Sequence, residues 1–267
     1  MHPLCLDFLT AIEASPPELA ALAADNGCQS ISFMVHPVVG VPDFGMIGDT
    51  AMRRETRQRC ADLGIGIDMV EGFLLNTDTD VTAFHPALES AGWLGASCVN
   101  ILLRDNDEAR LADNFAAFCD MADACGVAVV TEWSIRAPMK SPAEAARFLA
   151  RAGRPAKLQF DALHLFRAGF SAADIAALDA NIIGRAQLSD GPAAMPDDRI
   201  LAEAFGDRLA PGEGTLPLSE FLDVLPYGIT VGLEVPSQIL REQGIGPAER
   251  VKRVVEGARR LMTRQNQ

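Results

Sequence analysis

Long apolar runs are missing from this chain of 267 residues. A membrane span needs roughly 18 to 20 apolar residues in a row, so no transmembrane helix is expected. Paired cysteines are missing too: Cys5, Cys28, Cys60, Cys98, Cys119 and Cys125 are scattered without a CxxC. Most lie in apolar surroundings and read as buried free thiols of a reducing cytoplasm. Basic charge is scarce, with 23 Lys and Arg against 36 Asp and Glu and a net charge of −13. A nucleic-acid-binding surface carries the opposite footprint. The N-terminus, Met1 to Asp7, has no basic n-region and no small-residue cleavage site, so a signal peptide is not expected and the cytoplasm is the expected location. No GxGxxG turn follows an early strand, because Gly64-Ile-Gly66 sits between a helix and a strand. That absence weighs against a doubly wound nucleotide-binding sheet.

What is present is ample apolar residue, 49% of the chain, and a steady alternation of strand-like and helix-like segments. Strands are expected at residues 3–8, 28–35, 65–70, 98–103, 127–131, 158–160, 182–188 and 229–233. Helices are expected after Ser15-Pro-Pro-Glu18, over 50–63, 82–94, 108–124 and 141–152, over 172–178 and 218–225, and over 246–262. A helical insert is expected at 198–205. Ser15-Pro-Pro-Glu18 is a helix-start signature, Ser141 stands three residues before Glu144, the spacing of a capping box, and Gly64 is a normal helix stop. Such strand–helix units, without a linker, predict a single (β/α)8 TIM barrel over residues 1–267, a fold that typically takes about 250 residues.

In a parallel barrel the active face lies at the C-terminal ends of the strands. The tips of the fifth to eighth strands carry Glu132, Asp161, Gln187 and Glu234. Four oxygen donors there suit a hard divalent ion such as Mg²⁺ or Mn²⁺. The plain alternative is that an isolated Asp caps the next helix. Glu132 and Glu234 resist it, since each follows an apolar or β-branched run where a lone buried carboxylate is costly. His164 lies just past Asp161, and Arg208 and Glu213 lie on the loop after the seventh strand. His36 and Glu71, after the second and third strands, are candidates for the far wall. Arg104 and Arg136, at strand ends, are candidates for a carboxylate or phosphate. Arg53, Arg54, Arg57 and Arg59 read as a solvated helix face, and Phe33, Phe73, Trp133 and Phe166 as core or pocket wall. Asp190 is a candidate to orient Gln187 or His164.

Thr131-Glu132-Trp133, Phe160-Asp161 with His164, Gln187-Leu-Ser-Asp190, Arg208 with Pro211-Gly-Glu-Gly214, and Gly232-Leu-Glu234 resemble the xylose isomerase-like superfamily. This barrel group of sugar isomerases and epimerases also contains endonuclease IV. The resemblance implies a divalent metal held by Glu132, Asp161, Gln187 and Glu234, with Mn²⁺ or Mg²⁺ favoured and Zn²⁺ or Co²⁺ as alternatives. It implies substrate contacts by His164 and Arg208, and proton transfer by Glu132 and Glu234. The expected substrate is a small polyhydroxy carbonyl compound. Glutamine at position 187 resembles hydroxypyruvate isomerases and 3-dehydroshikimate dehydratases, so a lyase stands as the alternative to an isomerase or epimerase. A phosphodiesterase is disfavoured by the chain's 4 histidines, and a sugar-binding barrel without turnover is disfavoured because no ligand position is lost. Superfamily members often form dimers or tetramers, so a homo-oligomer is compatible with the resemblance.

Overall fold

The computed structural model describes residues 2–264. Short apolar runs form β1 (Leu4–Asp7), β2 (Ser30–Met34), β3 (Gly66–Leu75), β4 (Cys98–Leu103), β5 (Ala128–Trp133), β6 (Ala156–Asp161), β7 (Ile183–Leu188) and β8 (Thr230–Leu233). They pair in parallel in chain order, and β8 returns to β1, with Leu4 opposite Val231. The sheet is a closed barrel with no free edge to protect. Between and after the strands run α1 (Pro16–Asp25), α2 (Ala51–Leu63), α3 (His85–Leu94), α4 (Glu108–Ala124), α5 (Pro142–Ala152) and α6 (Ala162–Arg167). The remainder are α7 (Ala172–Ala176), α8 (Ile200–Gly206), α9 (Leu218–Asp223), α10 (Gln238–Glu242) and α11 (Pro247–Arg264). The architecture is the (β/α)8 TIM barrel that the alternation predicts.

Local chemistry sets the helix ends. Ser15 and Glu18 cap α1 reciprocally, the Ser15 N–H donating to Glu18 Oε2 at 2.8 Å. The hydroxyls of Thr50 and Ser141 accept from backbone N–H groups in the first turns of α2 and α5. Gly64 ends α2 in the left-handed region at φ 66°, which costs glycine nothing sterically. The main core lies between sheet and helices, and a smaller cluster of Met69, Cys98 and Val130 lies on the strands' other face, as period-2 alternation requires. All cysteines are free, and only Cys125 is less than fully buried; burial pushes the Cys28 and Cys119 thiols up to about 12.

Several elements differ from expectation. β3 continues five residues past Val70, to Leu75, with a shift of register between Val70 and Phe73. Gly72 makes this passage: at φ 109° it lies so close to the chain at His36 that a Cβ would fall 2.1 Å from that residue's carbonyl oxygen. Glu71 therefore sits inside the strand rather than after it. α6 and α10 were not expected from periodicity; each is short and is started by a side-chain cap, from Asp161 and Ser237. Arg53 is not part of a solvated face. It is buried, donates to Ser90 Oγ at 3.3 Å, and stacks over Trp93 with its guanidinium carbon 4.2 Å from the ring centroid. Phe33, Phe73 and Trp133 belong to the buried core. Among the described residues no helix is long and apolar enough to cross a membrane.

Candidate active site at the strand ends

Strand alternation carries the polar groups inward. On β5, Thr131 turns its hydroxyl to the Ile101 carbonyl at 2.7 Å and Trp133 packs toward Phe160 and Phe170. Glu132, between them, points the other way, into the barrel. Its backbone N–H donates to Asn100 Oδ1 at 3.1 Å, and its Oε1 lies 3.4 Å from His164 Nε2. The side chain of Asp161, at the end of β6, accepts at both oxygens. Oδ1 takes the His164 N–H at 3.1 Å, capping α6, and Oδ2 takes Arg208 Nη1 at 2.6 Å.

Arg208 is the centre of this cluster. Besides Asp161 it reaches Glu234 Oε2 at 3.1 Å through Nη2, and its Nε is held by the Ala204 carbonyl at 2.8 Å. One guanidinium thus spans two of the expected ligands. The neighbouring Asp207 pairs instead with Arg199. Gln187 donates from Nε2 to Glu234 Oε1 at 2.8 Å and to Asp7 Oδ2 at 3.0 Å.

The direction of the Gln187 amide follows from its neighbours. Arg185 can only donate, and its Nη1 lies 2.9 Å from Gln159 Oε1. Gln159 must then present Nε2 to Gln187 Oε1, at 2.8 Å, which leaves Gln187 Nε2 toward Glu234. Reversing Gln159 would set its N–H against the arginine, and reversing Gln187 alone would set N–H against the Gln159 N–H. Beneath this relay Arg185 pairs with Asp7 at 2.5 Å and Asp68 at 2.8 Å, and Thr230 donates to Asp68 at 3.0 Å. Gly232 leaves the space, because a Cβ there would lie 2.2 Å from Asp7 Oδ2 and 2.5 Å from Arg185 Nη2.

Glu71 joins the floor of the site, with Asn100 Nδ2 donating to it at 3.4 Å and Ser32 Oγ at 3.4 Å. His36 does not join it. Its ring packs edge-on against Phe84 at 5.1 Å, and it makes no hydrogen bond to the carboxylates among the described residues. Glu213 is turned outward to Arg253. Asp190 orients neither Gln187 nor His164; its carboxylate accepts from the backbone of Gly191, Gly212 and Leu216 and so pins the loop after β7. Asp7, Gln159, Arg185 and Asn100 are not among the residues expected from the sequence, where tips were taken after the second to eighth strands but not after the first, and none one pleat further in. The same reading of β1 ends on Asp7, and a period of two back from Gln187 on β7 gives Arg185.

Charge is unbalanced here. Burial, and then the charge of Asp161, push the Glu132 carboxyl up to about 7. Burial and the nearby Asp7 push Glu71 up to about 8, and burial holds Glu234 well above the usual carboxylate range despite Arg208. Asp161 stays below its ordinary value: burial opposes its charge, but Arg208 and His164 outweigh it. Burial drops His164 to about 4, so the imidazole is neutral at pH 7, and its Nδ1 has no hydrogen-bond partner among the described residues. As the side chains lie, no three His, Cys, Asp or Glu among the described residues are grouped to hold a metal ion; Arg208 and Gln187 are the groups turned toward the carboxylates.

No curated protein matches the sequence. Among solved structures, the barrel is similar to the IolI protein with a bound zinc atom, at 16% identity and TM-score 0.80, over 98% of this chain and 99% of that one. It is similar to a probable 3-DHS dehydratase, AsbF, from Bacillus anthracis, at 14% identity and TM-score 0.76, over 94% and 97%. It is also similar to D-allulose 3-epimerase from Methylomonas sp. in complex with D-allulose, at 14% identity and TM-score 0.72, over 99% and 97%. At such identities these likenesses speak for the fold. The profile of the family described as xylose isomerase-like TIM barrel matches residues 20–263, and the chain belongs to that family.

Proposed function

We propose that this protein is an isomerase or epimerase of a small polyhydroxy carbonyl compound, working by proton removal next to the carbonyl. The observation that supports it is the buried group of Glu132, Asp161 and Glu234 around the single guanidinium of Arg208. A carboxyl raised to about 7 is a base poised near working pH. Glu132 takes the proton from one face of the substrate, and Glu234 returns one to the neighbouring carbon or to the opposite face. Neutral His164, beside Glu132, donates a hydrogen bond to a substrate oxygen.

A divalent ion fits this donor set by charge and type: three carboxylates face one arginine, and the raised carboxyls are those an added cation would relieve. In this reading Glu132, Asp161 and Glu234 hold it with Gln187 beside them, and Mn²⁺ or Mg²⁺ is the preferred ion. Such an ion supplies Lewis-acid stabilisation of negative charge on the substrate oxygens. Loading it requires the Arg208 guanidinium to yield its place between Asp161 and Glu234, and an oxygen contact from Gln187 requires the Arg185–Gln159 relay to turn over.

The test is metal analysis of wild type, Glu132→Gln and Glu234→Gln, with activity measured on ketoses and keto-acids plus Mn²⁺ or Mg²⁺. About one ion per chain in wild type, and loss of kcat by about 100- to 10,000-fold in each variant, is expected. An ultraviolet-absorbing enone or aromatic product would assign a dehydratase instead. Unchanged turnover in both variants would place the chemistry elsewhere.

A further inference from the structure

One layer above Glu132 the barrel mouth carries arginines without carboxylate partners. The β4–β5 register runs Cys98 opposite Ala128, Val99 opposite Val129 and Asn100 opposite Val130. Arg104 follows directly on the end of β4, where its N–H donates to the Leu75 carbonyl at 2.9 Å, and Ser134 follows directly on the end of β5. Asn100 faces the barrel interior, where it touches Glu71 and Glu132. Period-2 alternation along β4 turns Leu102 to the same side as Asn100, and Arg104 comes two residues further on. At a rise of about 3.3 Å per residue, Ser134 stands at most roughly 7 Å beyond Glu132 along the chain.

Each of these groups is short of partners. Arg104 donates from Nη1 to the carbonyl of Leu103 at 3.0 Å, and no ion pair includes it among the described residues. Ser134 is buried, yet its Oγ has no hydrogen-bond partner among the described residues. Arg136, in the turn that Ala137 closes by donating to the Ser134 carbonyl at 2.9 Å, is exposed and forms no ion pair among the described residues. The arginines act on the same space as the acid cluster: Arg104 feels Glu132 and is opposed by Arg136, and both oppose protonation of His164. A chain with a net charge of −13 repels anions generally, so two unpaired cations at the mouth of its acidic site are a local exception. Guanidinium groups bind carboxylate and phosphate oxygens through paired N–H donors, and a free buried hydroxyl adds a further donor.

We propose that Arg104, Ser134 and Arg136 form an anion subsite, so that the substrate is a hydroxy-carbonyl compound with a carboxylate or phosphate group at the end away from Glu132 and Glu234. This rests on the proposed function for where the reacting carbons lie, but the subsite itself needs neither metal nor turnover. The bland alternative gives Arg104 only a structural part, as a distant counter-charge to Glu132.

The experiment uses chelator-treated protein and matched probes: glycerol 3-phosphate against glycerol for phosphate, and gluconate against sorbitol for carboxylate, titrated by calorimetry or NMR. At least one anion is expected to bind about 10- to 100-fold tighter than its neutral match, the range of a charge-assisted contact. Which pair shows the gap identifies the anion. Arg104→Gln and Arg136→Gln should each close most of it, Arg104→Lys should restore part, and circular dichroism should show both variants folded. Exposed Arg136 guards against a variant that fails to fold. Equal binding of anions and neutral matches, or a gap that survives in the Arg104→Gln, Arg136→Gln double variant, overturns the subsite. Anion preference without metal uptake or turnover would retain the subsite and remove the proposed chemistry instead.

Discussion

Glu71 shows what a single buried carboxyl costs this barrel. A glutamate ordinarily titrates near 4.5, and burial followed by the charge of Asp7 lifts this one to about 8. Between those values the folded chain keeps a proton that the unfolded chain has released, so stability falls as pH rises through that window and levels off above it. Each unit of displacement is worth about 1.4 kcal/mol. His164 acts with the opposite sign: held down to about 4 from 6.5, it binds fewer protons folded than unfolded, and stability is lost as pH falls through that range. Urea melts of chelator-treated protein from pH 5 to 9 are expected to show declining stability. Glu71→Gln, which keeps one oxygen to accept from Asn100 and turns its amide N–H toward the Ser32 hydroxyl, should remove part of that decline. An identical slope in the variant would mean that Glu71 is ionised in the folded protein at neutral pH.

At the level of elements, β8 exists in its present place because position 232 has no side chain. Asp7 and Arg185 meet across Gly232, and a methyl group there would lie 2.2 Å from Asp7 Oδ2, with both guanidinium Nη atoms of Arg185 within 2.7 Å. Neither partner can withdraw, since both are fully enclosed and Arg185 also holds Asp68 and Gln159. Gly232→Ala is therefore expected to destabilise by about 3 kcal/mol or more, the range for breaking a buried ion pair, with a lowered urea midpoint. A loss below about 0.5 kcal/mol, the ordinary surface value, would show that the strand can shift to relieve the contact. The elements were legible to very different degrees. Strands and long helices follow from apolar periodicity and from caps such as Ser15 with Glu18, Thr50 and Ser141, which act within four residues. α6 and α10 were not legible, because a single capping side chain starts each and neither is long enough to show a period. The cluster of Glu132, Asp161, Gln187 and Glu234 was legible as a set of strand tips. The Arg185–Gln159 relay that directs the Gln187 amide was not, because its partners come from four strands and meet only once the barrel has closed.

Closure is also what ties the molecule into one unit. β1 is bound on one side to β2 and on the other to β8, so the first and last strands depend on each other. The interior network repeats that dependence with charge: Arg185 of β7 holds Asp7 of β1 and Asp68 of β3, and Thr230 of β8 donates to Asp68. α11 packs on the same junction, against β8, α1 and the turn of residues 8–11 that follows β1. Opening the barrel at β1–β8 would expose two strand edges and separate Asp7 from Arg185, leaving buried charges unpaired, which costs several kcal/mol for each ion. Neither half then has a stable partner for its open edge, and the residues should melt as one domain. Scanning calorimetry is expected to show a single transition whose calorimetric and van't Hoff enthalpies agree, at about 190 kcal/mol near 60 °C from the average per-residue value. Two resolved transitions, or a van't Hoff enthalpy near half the calorimetric one, would mean that part of the barrel holds its fold after the rest has opened, and would divide residues 1–267 into two units.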